Sequence, residues 1–344
     1  MEVIMKKTVL VTGGNGFLSM QLILELLKQG YTVRTTLRLL QKKSGVLATL
    51  KANHAVNLGN LNFVVADLTS DTGWQDAMQG MTYVLSVAAP MFSTDKAHIN
   101  DAKDGILRIL KQAQLAQVKR VVMTANFGAI GFSNKDKHSV TTETDWTNFD
   151  EKGFSLYEKS KAIAEKAAWQ FMDKSSSNLE FTTINPVAIL GTSLNEHVSG
   201  SFGLIKSLID GSLKMIPNIP LNVVDVRDVV DLHIRAMTNP KANGERFIAS
   251  EDGQISLPEI AALIRKARPQ LSDQIPTKIM PNWIMRVGAP FSKQAQEGKL
   301  LLDINRNVSN QKAKQVLGWQ PLSNNEETVL GAVDSLVKYD LLKK

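Results

Sequence analysis

Short apolar runs alternate with longer amphipathic segments along the first 190 residues of the chain. The longer segments, for example 18–30, 101–117 and 156–172, repeat their apolar residues at helical spacing. The short runs are rich in β-branched residues and predict strands at 6–14, 31–38, 62–67, 83–89, 120–125 and 181–186. Because these strands are almost wholly apolar, they predict a parallel sheet that helices cover on both faces. The expected fold is therefore α/β, a doubly wound parallel sheet of the Rossmann type, with its ligand beyond the carboxyl ends of the strands.

After about residue 190 the alternation loosens and prolines become frequent. Capping boxes predict two helix starts here, one from Ser256 with Glu259 and one from Ser323 with Glu326. Segment 222–237 has the pattern of a strand and a helix that rejoin the main sheet. We therefore expect a nucleotide-binding domain over 1–190, rejoined by about 222–249, and a smaller, mainly helical substrate lobe in the remainder of 191–344. The two parts have no flexible linker between them and should share a cleft.

The segment TGGNGFL (12–18) lies between the first predicted strand and the first predicted helix. Its glycines, Gly13, Gly14 and Gly16, would let the backbone approach a pyrophosphate. The helix that starts at Phe17 and Leu18 offers free N–H groups and the positive end of its dipole. No Lys-Ser/Thr pair follows the glycines, so a P-loop is not expected, and a plain tight turn is the alternative.

Cations near the end of the second predicted strand indicate which dinucleotide is bound. An NAD site carries a carboxylate there, whereas this chain has Arg34, Arg38, Lys42 and Lys43. Positive charges at this place favour the 2′-phosphate of NADP(H), and a solvated basic face is the alternative. Asp67, at the end of the third strand, is placed to meet the adenine, or else to cap a helix.

Tyr157 and Lys161 are four residues apart in a predicted helix, so their side chains share one face. A lysine ammonium beside a phenol would lower the tyrosine pKa and make it a usable proton donor and acceptor.

Composition narrows the range of functions. The net charge of +7 comes with no zinc-finger spacing and no aromatic-basic signature of nucleic-acid binding. The longest mostly apolar run, 81–91, is far shorter than the ~20 residues of a membrane span. There is no cysteine, and we expect a cytoplasmic protein with neither a nucleic-acid nor a membrane partner. No metal site is expected, because metal-ligand spacing is absent among the histidines: His54, His98, His138, His197 and His233.

Taken together, the motifs resemble those of the extended short-chain dehydrogenase/reductases, and within them the dihydroflavonol-4-reductase-like aldehyde reductases. The resemblance covers nearly the whole chain and includes VTGGNGFL, ADLTSDTGW, KRVVMTANFGAIGF, YEKSKAIAEKAAW, INPVAILG and LGWQPLSNNEETV. It implies hydride transfer between NADPH and the carbonyl carbon of a small-molecule substrate. We expect the protein to be a monomer or a homodimer.

The resemblance also implies roles for individual residues. Tyr157 would give the proton, and Lys161 would bind the ribose hydroxyls. Arg38, together with a lysine such as Lys42, would hold the 2′-phosphate. The other cofactor contacts would come from Gly13, Gly16, Phe17, Leu18, Asp67, Leu68, Val87, Ala88, Thr124, Pro186 and Val187. Candidates for an apolar substrate pocket, each equally suited to core packing, are Met91, Phe92, Phe127 and Phe154.

Two positions depart from the family pattern. The third glycine of the fingerprint is Ser19, which is small enough to keep the helix close to the strand. The catalytic serine is replaced by Asn126, with Ala125 before it. An asparagine amide can still donate a hydrogen bond to a carbonyl oxygen, and Thr124 offers a fallback hydroxyl. We therefore expect Asn126 to be catalytic with Tyr157 and Lys161.

Two alternatives remain open at this point. The missing serine allows a catalytically silent NADP(H)-binding sensor or interaction protein. The same superfamily also contains nucleotide-sugar epimerases and hydroxysteroid dehydrogenases.

Overall fold

The computed structural model describes residues 7–89, 99–151 and 154–342. Its strands are β1 (Thr8–Val11), β2 (Thr32–Leu37), β3 (Leu61–Val65), β4 (Tyr83–Ser86), β5 (Arg120–Thr124), β6 (Glu180–Pro186), β7 (Ala188–Leu190), β8 (Ile216–Pro217), β9 (Pro220–Leu221), β10 (Val223–Asp225), β11 (Arg246–Ala249), β12 (Ile255–Ser256) and β13 (Ile279–Met280).

Its α-helices are α1 (Phe17–Lys28), α2 (Lys43–Ala52), α3 (Trp74–Met78), α4 (Asp101–Leu115), α5 (Gly128–Gly131), α6 (Leu156–Asp173), α7 (Phe202–Ile209), α8 (Val226–Thr238), α9 (Leu257–Ala267), α10 (Asn282–Gly288), α11 (Lys293–Asp303), α12 (Gln311–Leu317) and α13 (Asn325–Lys338). Short 3-10 turns lie at Leu40–Lys42, Leu58–Asn60, Pro240–Ala242 and Pro269–Gln274.

The centre of the fold is a seven-stranded sheet in the order β11-β6-β5-β4-β1-β2-β3, and every pairing in it is parallel. Each of the strands predicted from the apolar runs is present, so the predicted doubly wound fold is confirmed. The topology places the carboxyl ends of β1, β4, β5 and β6 along one edge of the sheet, next to where the strand order reverses.

Alternate residues of the strands enter two hydrophobic cores. In β1, Val9 and Val11 pack into one core and Leu10 into the other. The first core contains α1 and α8, and the second contains α4 and part of α6. Burial on both faces explains why most positions of these strands are apolar.

The segment after residue 190 returns only in part to the main sheet. Helix α8 packs against β5 and β6, and β11 joins the sheet beside β6. Strand β10, by contrast, pairs with β7 in a separate two-stranded sheet. The strand in segment 222–237 therefore does not join the main sheet, whereas the helix that follows it packs against that sheet.

The predicted capping box of Ser256 and Glu259 is present at the start of α9. The predicted cap from Ser323 and Glu326 is wrong by one residue, because α13 is capped by Asn324, whose Oδ1 accepts the Glu327 N–H at 3.0 Å. The hydroxyl of Ser323 is used elsewhere, since it accepts a hydrogen bond from Arg227 at 2.6 Å.

Candidate active site

The glycine turn between β1 and α1 leaves no room for side chains. Gly13 has a φ of +71°, and a Cβ added there would lie 2.9 Å from the Cβ of Ala88. A Cβ on Gly14 would lie 2.3 Å from Oγ1 of Thr35. The turn is held by the N–H groups of Gly13 and Gly14, which donate to the side chain and the carbonyl of Thr36, each at 2.9 Å. These contacts explain why glycine is needed at both positions.

Helix α1 starts directly after this turn with its first N–H groups uncapped by any side chain. Its N-cap residue is Gly16, and no acidic residue lies in its first turn. The positive end of the helix dipole is therefore available to an anion. At the third fingerprint position, the Ser19 hydroxyl donates to the carbonyl of Thr12 at 3.0 Å. The serine that departs from the family pattern thus ties the helix to the end of β1.

A second contact of Thr12 was not anticipated from the sequence. Its Oγ1 accepts the N–H groups of Val87 and Ala88, both at 2.9 Å. This hydroxyl joins the glycine turn to the segment that follows β4. It places Val87 and Ala88 at the cleft, as the resemblance implied.

The basic residues near β2 have different environments. The Arg34 guanidinium donates from Nη1 to the carbonyls of Asp76, Ala77 and Gln79 at 2.7–3.1 Å, so it caps the end of α3. Arg38 is exposed, lines the cleft, and has no hydrogen bond or ion pair with any residue that the structure describes.

Lys42, in the 3-10 turn after β2, is exposed but does not line the cleft. Lys43 has its ammonium 5.4 Å from the centre of the Phe63 ring. Of these four cations, Arg38 is the one that lines the cleft.

Asp67 and Leu68 also line the cleft. Oδ1 of Asp67 accepts both the N–H and the hydroxyl of Thr69 at 2.9 Å, which forms a tight Asx turn. Helix α3 begins at Trp74 with Gly73 as its N-cap, so the alternative role of Asp67 as that helix's cap is wrong.

One cleft of about 1010 Å³ contains most of the predicted site residues. Its lining includes Gly13, Gly16, Phe17, Leu18, Arg38, Asp67, Leu68, Val87, Ala88, Thr124, Asn126, Phe127, Tyr157, Lys161, Pro186 and Val187. Residues of the C-terminal lobe complete it, among them Leu204, Asn222, Leu301 and Arg306.

Two capping bonds set the position of Tyr157 at the second residue of α6. The Ser155 hydroxyl accepts the Glu158 N–H at 3.2 Å, and the Glu158 carboxylate accepts the Ser155 N–H at 2.9 Å. This capping box starts α6 at Leu156 and places Tyr157 and Lys161 one turn apart, both on the cleft. The sequence signal for this helix start is Ser155 followed three residues later by Glu158.

The ammonium of Lys161 is buried and donates to the backbone carbonyl of Thr124 at 3.1 Å. Burial lowers the Lys161 pKa to about 8, although the Glu165 carboxylate acts in the opposite direction. Burial raises the pKa of Tyr157 to about 12, and the charge of Glu158 adds to this increase. The predicted lowering of the tyrosine pKa is therefore wrong for this structure, and the phenol is protonated at neutral pH.

The Thr124 hydroxyl is committed to a buried histidine. Nδ1 of His233 lies 2.7 Å from the carbonyl of Val229, which can only accept, so this nitrogen carries the proton. Burial lowers the His233 pKa to about 4, which keeps the ring neutral and leaves Nε2 as an acceptor. The Thr124 hydroxyl, 2.7 Å away, donates to it. The expected fallback donor is therefore wrong, because Thr124 has already used its proton.

Asn126 lies at the cleft just beyond β5, with its side chain in a defined orientation. Its Oδ1 accepts the N–H of Gly128 at 2.6 Å. Since the oxygen faces that N–H, the Nδ2 amino group points away from it. Within 7–89, 99–151 and 154–342, Nδ2 has no hydrogen-bond partner. Asn126 therefore keeps two N–H donors at the carboxyl end of β5.

A buried hydrogen-bond network around Glu165 supports the backbone at Asn126. The Glu165 carboxylate, one turn after Lys161, accepts Nε of Arg246 at 2.8 Å and Nδ2 of Asn185 at 2.7 Å. The same Asn185 amide donates to the backbone carbonyl of Asn126 at 3.2 Å. The network joins α6, β6 and β11 and fixes the backbone that carries Asn126.

The aromatic residues divide between the cleft and its support. Phe127 lines the cleft and contacts Phe132 edge to face, with ring centres 6.1 Å apart. Phe132 also lines the cleft and stacks on Phe154 at 6.2 Å. Phe154 therefore lies behind the cleft wall and supports Phe132. Phe132 itself was not among the pocket residues predicted from the sequence. The other two pocket candidates, Met91 and Phe92, lie outside the described residues.

The described ranges contain no group of three or more His, Cys, Asp or Glu side chains that could hold a metal ion. No described helix combines the length and apolar character of a membrane span.

The glycine turn, the uncapped helix and the Tyr157–Lys161 pair define a dinucleotide-binding α/β protein with an oxidoreductase site. The family described as 3-beta hydroxysteroid dehydrogenase/isomerase matches residues 10–252. The chain belongs to the extended short-chain dehydrogenase/reductases, as its motifs predicted.

Its relatives include proteins named as reductases of different compounds. An anthocyanidin reductase of Vitis vinifera is 31% identical over 291 residues, covering 79% of this chain and 83% of the relative. A putative NADPH-dependent methylglyoxal reductase of Candida albicans is 30% identical over 338 residues, covering 91% of this chain and 94% of the relative.

Among solved structures, Gre2 of Candida albicans in complex with NADPH has a TM-score of 0.80 at 24% identity, covering 97% of this chain and 99% of Gre2. The yeast methylglyoxal/isovaleraldehyde reductase Gre2, also with NADPH, has a TM-score of 0.79 at 24% identity, covering 98% of this chain and 100% of that enzyme. These likenesses agree with the fold described above.

Proposed function

We propose that this chain is an NADPH-dependent reductase of aldehyde or ketone carbonyl groups, in which Tyr157, Lys161 and Asn126 act at the reacting carbonyl. The observation that carries the proposal is that Tyr157, Lys161 and Asn126 line the same cleft as the glycine turn. Family membership and the NADPH-bound relatives support the choice of reaction and cofactor.

The residues of the cleft fit NADPH. The glycine turn, which a Cβ would fill, and the uncapped start of α1 suit the pyrophosphate. The guanidinium of Arg38, which pairs with none of the described residues, suits the 2′-phosphate. The bound cofactor would supply the hydride to the carbonyl carbon.

The three polar side chains would then act at the reacting carbonyl. Asn126 and Tyr157 would contact its oxygen directly. Asn126 donates a hydrogen bond from Nδ2 as negative charge develops there. Tyr157 gives its phenolic proton, which it still holds at neutral pH because its pKa is about 12. An alkoxide is a stronger base than this phenolate, so the transfer is favourable. The ammonium of Lys161, one helical turn from Tyr157, would bind the ribose hydroxyls and so hold the cofactor beside the reacting carbonyl.

The proposal is tested by following NADPH oxidation with a panel of aldehydes, ketones and 1,2-dicarbonyl compounds. Tyr157→Phe should abolish turnover and leave the Kd for NADPH nearly unchanged, because only the transferred proton is removed. Tyr31→Phe, which changes a tyrosine outside the cleft, is the matched control and should keep full activity. Full activity of Tyr157→Phe would refute the role of the tyrosine as acid.

Asn126 stands where the family pattern has a serine, and this difference favours a second candidate function. The protein would then bind NADP(H) without turning over a substrate. Tight NADPH binding with no oxidation across the panel would support it. The description of the matching family also names hydroxysteroid dehydrogenases, so 3-ketosteroids belong in the panel.

A further inference from the structure

Arg306 is a buried cation on the lobe side of the active-site cleft. It lies between α11 and α12, is 9% exposed, and lines the same cleft as Tyr157 and Asn126. Its backbone carbonyl accepts a hydrogen bond from Nδ2 of Asn222 at 3.1 Å, which holds this segment against the junction of β9 and β10.

The guanidinium of Arg306 has few partners for its five N–H donors. Nη2 donates to the carbonyl of Leu301 over a long 3.4 Å, and the buried Nε has no partner in the part of the chain that the structure describes. No carboxylate of the described chain lies within the 4.0 Å of an ion pair. A buried charge without a close counter-charge is costly, so this arrangement points to a partner supplied from outside the chain.

The charged residues near Arg306 do not supply the missing counter-charge. Glu158 is near enough to raise the pKa of Arg306, but burial dominates and lowers that pKa to about 10. The Glu158 carboxylate is used by the cap of α6, and burial raises its own pKa, with the charge of Glu297 adding to the increase. The ammonium of Lys137 adds a second positive charge close to Arg306.

We infer that Arg306 binds a carboxylate group of the substrate, so that the enzyme prefers carbonyl compounds that also carry a carboxylate. The planar guanidinium can bind both carboxylate oxygens at once, which orients the far end of the substrate while its carbonyl lies at Asn126 and Tyr157. The lining of this cleft also includes Leu204, Leu301 and Phe132, apolar side chains that suit an apolar spacer. This inference rests on the proposed reductase function.

The test compares substrates that differ only in charge: 4-formylbenzoate with 4-formylbenzamide, and straight-chain oxo acids of increasing length with their methyl esters. We expect wild type to have a higher kcat/KM for the acid of each pair at the best length. Arg306→Gln should lower the acid-to-neutral ratio about tenfold to a hundredfold, the value of one charge-assisted hydrogen bond. Arg306→Lys should restore part of the ratio.

Arg286→Gln is the matched control, because Arg286 is more than half exposed, pairs with Asp303 and does not line the cleft. It should leave the ratio unchanged. A parallel loss for acid and neutral substrates in Arg306→Gln would mean that Arg306 only supports the lobe, and would overturn the inference.

A binding measurement on wild type makes the test independent of whether the variants fold. Benzoate should raise the unfolding temperature of the NADP-bound protein more than benzamide does, and equal effects would overturn the inference. Failure of the proposed function is distinguishable, since the neutral aldehydes would then also cause no NADPH oxidation.

Discussion

The side-chain oxygen of Asn126 accepts the backbone N–H of Gly128 at 2.6 Å, and this one bond determines which end of the amide faces the cleft. The family serine would present a hydroxyl at this place. Here the backbone orients an amide instead, so that its two N–H groups remain available.

The first prediction concerns Asn126 itself. Asn126→Ala should lower kcat about tenfold to a thousandfold, the usual effect of removing one oxyanion donor, and Asn126→Ser should cost less. Asn126→Asp keeps an oxygen for Gly128 but places a second oxygen where the donor was. It should therefore be at least as damaging as Ala while the protein stays folded. Steady-state kinetics with circular dichroism as a folding check would measure this, and equal activity of Ala and wild type would exclude Asn126 from the mechanism.

The second prediction uses Gly128. A Cβ at this position would lie 2.7 Å from Oδ1 of Asn126, so Gly128→Ala should displace the amide. We expect kcat to fall about tenfold or more with little change in the Kd for NADPH. Gly203→Ala is the control, because a Cβ there meets nothing within 4 Å. If the two variants were equally active, the Asn126 orientation would not matter for catalysis.

The third prediction is a pH dependence from Lys161. Its pKa of about 8 means that the amine is charged below this pH and neutral above it. Because kcat/KM for NADPH reports the free enzyme, it should decline as the pH rises through about 8. The control is Lys166→Met, which changes an exposed lysine of α6 and should keep the profile. A flat profile to pH 9.5 would contradict the role given to Lys161.

The fourth prediction concerns cofactor choice. Arg38→Asp should weaken NADPH binding about tenfold to a hundredfold and shift the preference towards NADH, because the new carboxylate repels the 2′-phosphate. Lys51→Asp makes the same charge change on exposed α2 and should have little effect. Titration of both nucleotides by fluorescence would measure this. An unchanged preference in Arg38→Asp would mean that another cation, such as Lys42, binds the phosphate.

The fifth prediction concerns stability. The pKa of His233 falls from 6.5 to about 4 on folding, so the unfolded chain binds more protons between these values. The stability from a neutral His233 is complete above pH 6.5 and is lost as the pH falls towards 4.

Urea unfolding should show wild type losing roughly 2 to 3 kcal/mol more than His233→Gln between pH 7.5 and 4.5. His138→Gln, at an exposed histidine, should behave like wild type. Parallel losses in wild type and His233→Gln would show that this ring does not control the acid sensitivity.

The sequence by itself determined the parts of the protein whose causes are local. Strands of a parallel sheet that helices cover on both faces are mostly apolar, so β1 to β6 were predictable from short, mainly apolar runs. The glycine turn and the Tyr157–Lys161 spacing are equally local, because a tight turn and one helical turn each involve only neighbouring residues.

Only the tertiary structure decided the relationships between distant segments. His233 lies 109 residues from Thr124, and no local pattern shows that it takes the threonine proton. Arg34 and Arg38 are both basic and close in sequence, yet one caps α3 and the other faces the cleft. The pKa values of Tyr157 and Lys161 followed burial, which depends on how the whole chain packs. Desolvation and hydrogen-bond partners are set in three dimensions, and a one-dimensional pattern contains neither.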